Sequence, residues 1–116
     1  MKKLLNKSKS NSQIAASLRF ADNFILRLKG LMFDRTMAQG SALYFDECRC
    51  IKTCFMNFDI DVIFIDKNFV VKRTFENFKP WRFSPVVWKA TSVIELPAGT
   101  LKTTQVEIGD ELYVGD

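Results

Sequence analysis

Lys52, Asn57, Asp59 and Asp61 stand close together in the chain, and a lysine beside carboxylates has two ordinary uses. It can act as an acid–base set, or it can belong to a mutually neutralising surface cluster. Lys–Asp pairs are so common at surfaces that the second use is preferred. Asp61 differs from its neighbours. It lies inside Ile60-Asp61-Val62-Ile63-Phe64-Ile65, where Ile63 and Ile65 share its face of a strand. A carboxylate withdrawn from water needs hydrogen-bond donors or an opposite charge, and such groups concentrate at functional sites. Backbone amides, or an arginine such as Arg73 or Arg82, would satisfy it structurally, so both roles stand open for Asp61.

Three further groups invite chemistry. Trp81, Arg82, Phe83 and Trp88 interleave aromatic rings with a cation. Rings can stack on bases while arginine pairs with phosphate, but the same residues suit a loop packed over the core with Arg82 snorkelling. Packing is preferred, and the loop is the best contact surface the sequence offers. Glu95 precedes Pro97-Ala98-Gly99-Thr100. A strand-to-helix turn there can present amides to an anion, but a single glycine is weak evidence and ordinary helix capping is preferred. Cys48, Cys50 and Cys54 share parity. On a regular strand they would project from one face, with the first pair about 7 Å apart. They lack a fourth zinc ligand and a tight Cys-x-x-Cys knuckle, so they are expected to be small core residues, with a redox pair as the weaker option. No metal and no cofactor is expected.

The chain contains no histidine. That excludes Ser-His-Asp triads, Cys-His pairs and imidazole acid–base catalysis. Its 116 residues, 47% hydrophobic and 26% charged, suit one globular domain rather than a disordered chain or a disulfide scaffold. The formal charge of +4 is uneven: eight Lys/Arg and two Asp fall in residues 1–35, and nine basic and eleven acidic residues follow. Residues 1–12, rich in Lys, Ser and Asn, read as a flexible basic arm that makes at most weak, non-specific contact with nucleic acid. Residues 13–116 then form the single domain. No apolar stretch approaches the ~20 residues of a membrane span. Asn6, Lys7, Ser8 and Lys9 interrupt any signal-peptide core, so a cytoplasmic location and no membrane partner are expected.

The elements that must position these residues follow from periodicity and turn chemistry. Ala15 to Phe20 reads as a first strand, and Asp22 as the cap of a helix from Asn23 to about Lys29, with Gly30 ending it. Strands are expected at Ala42–Phe45, Cys50–Met56 and Ile60–Ile65, the last apolar on both faces and therefore central. Asp66-Lys67-Asn68 makes a turn with Asn68 at positive φ. Phe69 to Glu76 alternates, with Phe69, Val71, Arg73 and Phe75 on one side, and completes a hairpin. Residues 77–89 form a loop over the sheet. Ser92–Leu96 is a strand stopped by Pro97, Ala98 to about Gln105 is a short helix, and a last strand runs from Glu111 to Val114.

Five segments then occur in order: Gly30-Leu31-Met32, Cys50-Ile51-Lys52-Thr53-Cys54-Phe55-Met56, Ile60-Asp61-Val62-Ile63-Phe64-Ile65-Asp66, Lys79-Pro80-Trp81-Arg82 and Glu95-Leu96-Pro97-Ala98-Gly99-Thr100. From roughly Ile14 to Val114 the chain resembles the domain of unknown function 192 family. The resemblance implies a compact α+β, β-dominated domain with a curved, barrel-like antiparallel sheet and one or two short helices. It implies no established reaction. The family pattern has a histidine where Lys52 stands, a basic residue or Lys-Asn in many relatives at Asn57-Phe58, and commonly a proline where Asp59 stands.

Two functions are carried forward. The preferred one is a non-catalytic module that binds a small ligand or a protein in a groove between the 50–61 segment and the 79–88 loop, through Lys52, Asn57, Asp61, Trp81, Arg82 and Glu95. The alternative is a small enzyme acting on an anionic substrate through Asp61 and Lys52.

Overall fold

The densest runs of β-branched and aromatic residues occupy the middle of a sheet, as their fit to a pleated, buried surface requires. A computed structural model describes residues 2–21, 37–53 and 56–116. Among them are β1 (Lys3–Asn6), β2 (Ser12–Ala15), β3 (Ser17–Phe20), β4 (Ser41–Phe45), β5 (Ile60–Ile65), β6 (Val71–Phe78), β7 (Ser92–Pro97) and β8 (Leu112–Gly115), with one short helix, α1 (Thr100–Thr104). Five strands form one sheet in the order β3-β4-β7-β5-β6, and three form another in the order β2-β1-β8. β5 and β7 are buried along their whole length, so the central position expected for Ile60–Ile65 is observed. The expected helix at 23–29 and its Gly30 terminus lie outside the described residues.

The architecture is β-dominated, but two features of the expected sheet are corrected. β3 pairs with β4 in parallel, so the larger sheet is mixed rather than antiparallel. Two sheets stack, and no closed barrel is found among the described residues. The expected single strand over 15–20 breaks at Ala16, where the chain leaves one sheet for the other and β3 takes an edge position.

The two faces of the five-stranded sheet have different covers. On the first face Ile63, Ile65, Ile94 and Leu96 meet Leu4, Ile14 and Ala15 of β1 and β2, Leu112 of β8 and Leu101 of α1. On the second face Leu43, Phe45, Ile60, Val62, Phe64 and Val93 meet Met37, Ile51, Met56 and Ala90 from connecting segments. Of the expected arm over 1–12, the described residues 2–12 are therefore no arm. Most of them belong to β1, the middle strand of the smaller sheet, its following turn and the start of β2, and Leu4 and Asn6 are fully buried. The reason is that Leu4 supplies the apolar side chain facing the first core, while the basic residues around it find acids. Lys2 pairs with Asp116 (3.0 Å), Lys7 with Glu111 (3.5 Å), and Lys9 with Asp110 (2.9 Å) and Glu107 (3.2 Å).

Bulges and turns revise several local expectations. The β5–β6 register slips between Phe64 and Ile65, so Val71 joins the first core while Phe75 packs on the second. The alternation expected for Phe69–Glu76 is broken there. Phe69, not Asn68, takes the left-handed conformation (φ 60°), because Asp66 Oδ1 accepts the N–H groups of both Asn68 (2.8 Å) and Val70 (3.0 Å) and fixes the turn. Pro97 does not stop β7 but is its last residue, opposite Ile60, where a missing N–H is tolerated. α1 starts later than expected, after Gly99, whose φ of 94° suits only glycine at low cost.

Candidate functional site

Among the described residues of the 50–56 segment no regular strand forms. Instead residues 48–53 run beside 81–91 as an irregular two-stranded ribbon. Its rungs are Trp81 N–H to Thr53 O (2.9 Å), Thr53 N–H to Arg82 O (2.9 Å), Ser84 N–H to Ile51 O (3.0 Å), Val87 N–H to Arg49 O (2.7 Å) and Cys48 N–H to Thr91 O (2.9 Å). Two buried hydroxyls lock it. Thr53 Oγ1 donates to Lys79 O (2.7 Å) and accepts from Arg82 N–H (2.9 Å), and Ser84 Oγ accepts from Ile51 N–H (2.9 Å). Trp81 is held at φ 60° between these bonds, a conformation that costs a bulky residue about 1–3 kcal/mol. Nothing in sequence spacing singles out Thr53 or Ser84, since their role depends on two distant segments meeting.

The ribbon buries Ile51, Thr53 and Ser84 and turns other residues outward. Trp88 is 79% exposed, Phe83 67%, Trp81 56% and Val86 43%. The expectation that these aromatics would cover the core is overturned: Val87 and Ala90 do the packing, and the larger rings remain outside because Ser84 and Thr53 already fill the inner positions. Lys52 and Phe83 form a bridge across the ribbon, with the Lys52 ammonium 6.0 Å from the ring centroid. No Asp or Glu occurs in residues 48–58 or 77–94, which hold Arg49, Lys52, Lys79, Arg82 and Lys89. Lys79 pairs with Asp59 (2.6 Å). Among the described residues the other four enter no ion pair.

Asp61 is fully buried on the first face, as its strand requires. Its partners are backbone amides rather than Arg73 or Arg82: Oδ1 accepts Asn77 N–H (2.9 Å) and Oδ2 accepts Leu101 N–H (2.8 Å). Asn77 occupies a second slip of the β5–β6 register at positive φ (51°). Asp61 thus ties down the bulge from which β6 enters the ribbon, and it caps the first turn of α1. The Leu101 amide of the turn expected to meet an external anion is therefore already taken. Lys52 and Asp61 are not brought together, and Asp59 serves Lys79, so the cluster expected around Lys52 dissolves into separate contacts. Asn57 is exposed. Glu95 lies buried in β7, opposite Leu43 on one side and Val62 on the other, and so faces the second core, away from Asp61.

Cys48 and Cys50 do not form a core stripe. Cys50 is exposed and Cys48 half-buried, its Sγ 3.0 Å from Cys50 O, because the ribbon lacks the regular pleat that would align them. Cys54 lies outside the described residues, and among those described no cluster of acidic or sulfur ligands could hold a metal.

Two polar clusters escaped the sequence reading. Ser92 Oγ donates to Asp46 Oδ1 (2.9 Å) and lies 2.9 Å from Tyr44 Oη. The Ser92 hydroxyl and the Glu47 N–H hold the Asp46 carboxyl below its ordinary value. At the other end, burial pushes the Asp110 carboxyl up. Hydrogen bonds from Asn6 Nδ2 (2.9 Å), Glu107 N–H (3.0 Å) and Lys9 Nζ (2.9 Å) outweigh that and leave it below the ordinary aspartate value.

Comparison with known proteins agrees with this architecture. The family profile DUF192, described as Uncharacterized ACR, matches residues 5–114. A UPF0127 protein of Pyrococcus furiosus is 38% identical over 113 residues, covering 94% of this chain and 95% of that protein. One of Pyrococcus horikoshii is 37% identical, covering 94% and 96%. Among solved structures, a Sinorhizobium meliloti protein described as a candidate transcription regulator superposes with a TM-score of 0.75 at 26% identity, over 98% of this chain and 94% of that one. A Novosphingobium aromaticivorans protein of unknown function gives 0.76 at 18% identity, over 96% and 83%, and supports the fold alone.

Proposed function

The chain belongs to the DUF192 family, and from that premise we propose that it works as a non-catalytic binding module in the cytoplasm, with the outer face of the 48–53/81–91 ribbon as its contact surface. One observation carries the reading: large apolar side chains stand exposed on a backbone held in place by buried hydroxyls and backbone hydrogen bonds. Exposed apolar groups on a fixed frame are costly to keep in water and favour a partner that covers them. A frame already in position loses little conformational entropy on binding. Of the residues expected at the groove, Lys52, Trp81 and Arg82 contribute directly. Asn57 stands near the same segment. Asp61 supports the surface from within by fixing the bulge at Asn77, and Glu95 lies beneath it in the second core.

The enzyme reading requires Asp61 and Lys52 to act on one substrate. Asp61 lies against the first face with both oxygens on amides, whereas Lys52 belongs to the ribbon over the second, so the geometry favours binding. The candidate regulator role of the Sinorhizobium protein is compatible with a binding module and adds no residue-level support here.

The test uses anilinonaphthalene sulfonate, an aromatic anion, against the full chain. Both tryptophans of the protein, Trp81 and Trp88, lie on the ribbon, so loss of a ring there, read against the dye's own fluorescence titration, reports whether the dye uses this surface. Dye binding that is weakened in Trp88→Ala, with an unchanged melting temperature, supports the proposal. Dye binding unaffected by that substitution would place any contact surface elsewhere.

A further inference from the structure

We propose that the outer face of this ribbon binds single-stranded nucleic acid, with bases stacking on Trp88, Phe83 and Trp81 and phosphates meeting Arg49, Lys52, Arg82 and Lys89. The inference rests on the binding-module reading and names its ligand class.

The charge distribution is the first support. The N-terminal lysines that raise the isoelectric point are largely spent on C-terminal acids: Lys2, Lys7 and Lys9 all enter ion pairs. Residues 48–58 and 77–94, which contain the ribbon, hold five cations and no acid, whereas the rest of the chain holds twelve Lys/Arg against thirteen Asp/Glu; of the five, Lys79 is paired with Asp59. Among the described residues the densest run of cations outside ion pairs therefore lies at the ribbon, although sequence counting places the positive charge at the N-terminus.

The interleaving is the second. Arg82 stands between Trp81 and Phe83, Lys89 follows Trp88, and the Lys52 ammonium lies 6.0 Å from the Phe83 ring centroid. A single strand offers the matching alternation of flat apolar bases and charged phosphates, and its base faces are open to stacking where a duplex hides them. An anionic membrane fits less well. Inserting Phe83 or Trp81 into the acyl region would draw Lys52 and Arg82 in with it, and charged groups are costly there. The chemistry gives stacking and charge neutralisation without base-edge contacts, so affinity depends little on sequence.

The experiment titrates the full chain with short oligothymidylate and oligoadenylate, a duplex of equal length, polyglutamate, and vesicles containing one-quarter phosphatidylserine, following tryptophan emission. Expected is quenching by both single strands, at least about tenfold tighter than the duplex. The logarithm of affinity should fall with the logarithm of salt at a slope of about −3, for four neutralised phosphates. Trp88→Ala and Phe83→Ala should each weaken binding by about 5- to 150-fold, the loss of one stacked base. Lys52→Gln should shallow the slope by about 0.7. Duplex or polyglutamate binding as tight as single strands overturns the inference by reducing it to charge. If vesicles or anilinonaphthalene sulfonate engage the tryptophans and the oligonucleotides do not, the nucleic-acid inference fails and the binding surface stands. If none of them does, both fail.

Discussion

Residues 3–15 and residues 79–89 exchange the roles their compositions suggest. The first segment is polar, basic and short of large apolar groups, yet it supplies the middle strand of a sheet and the fully buried Leu4. The second carries two tryptophans, two valines and a phenylalanine, yet leaves most of that surface in water. The difference teaches that composition sets how much a segment can bury, whereas partners decide how much it does bury. For the N-terminal segment the partners are β2, β8 and three acids near the C-terminal end. For the ribbon, Thr53 and Ser84 use the inner positions for polar locks, and the rings are left outside.

The largest effect should come from deleting residues 1–12. That removes β1 from between β2 and β8 and uncovers Leu96 and Ile65 on the first face, so the truncated chain is expected to lose its cooperative thermal transition. A native-like melt followed by circular dichroism would return the segment to the status of an arm. Next is Asp61→Ala, which leaves the Asn77 and Leu101 amides without an acceptor. At about 1–3 kcal/mol for each buried unsatisfied donor, urea unfolding should show a loss of about 2–5 kcal/mol. A loss under 1 kcal/mol would mean that water reaches both amides.

Thr53→Val keeps the shape of a buried side chain and removes its hydroxyl, so it tests the lock on the ribbon. A loss of about 1–3 kcal/mol is expected, with faster amide exchange at Arg82 than in the wild type. Unchanged exchange there would show that the backbone rungs suffice. Asp110→Asn tests the N-terminal latch by pH. Because the folded carboxyl titrates below its ordinary value, its contribution is complete above the unfolded aspartate pKa and is lost as pH falls through the lowered folded value. Stability of the wild type should therefore fall more steeply than that of the variant below about pH 4. Parallel profiles would detach Asp110 from the latch. Smallest of all, Trp88→Ala should shift stability by less than about 0.5 kcal/mol.

Legibility followed the range of the interactions. β5 announced itself because six consecutive residues between two neighbouring strands must be apolar or paired, and the buried, hydrogen-bonded state of Asp61 follows from that same run. Its partners did not, because Asn77 and Leu101 are contributed by a bulge and a helix turn distant in sequence. The ribbon was hidden for a similar reason. The 50–56 segment has the parity of a strand, but its rungs with 81–91 include a serine hydroxyl in place of a carbonyl, and no periodicity encodes that. Glu95 and Asp61 looked like members of one site, whereas the pleat sends them to opposite faces.

The most direct test of the displayed ribbon is the emission spectrum of the native protein, because its two tryptophans are both on that surface. With Trp81 56% and Trp88 79% exposed, the maximum should lie close to that of free tryptophan in water, shift little on unfolding in urea, and be readily quenched by acrylamide before unfolding. A native spectrum shifted well to the blue, with quenching appearing only as the chain unfolds, would show the rings packed against the protein and would contradict the account.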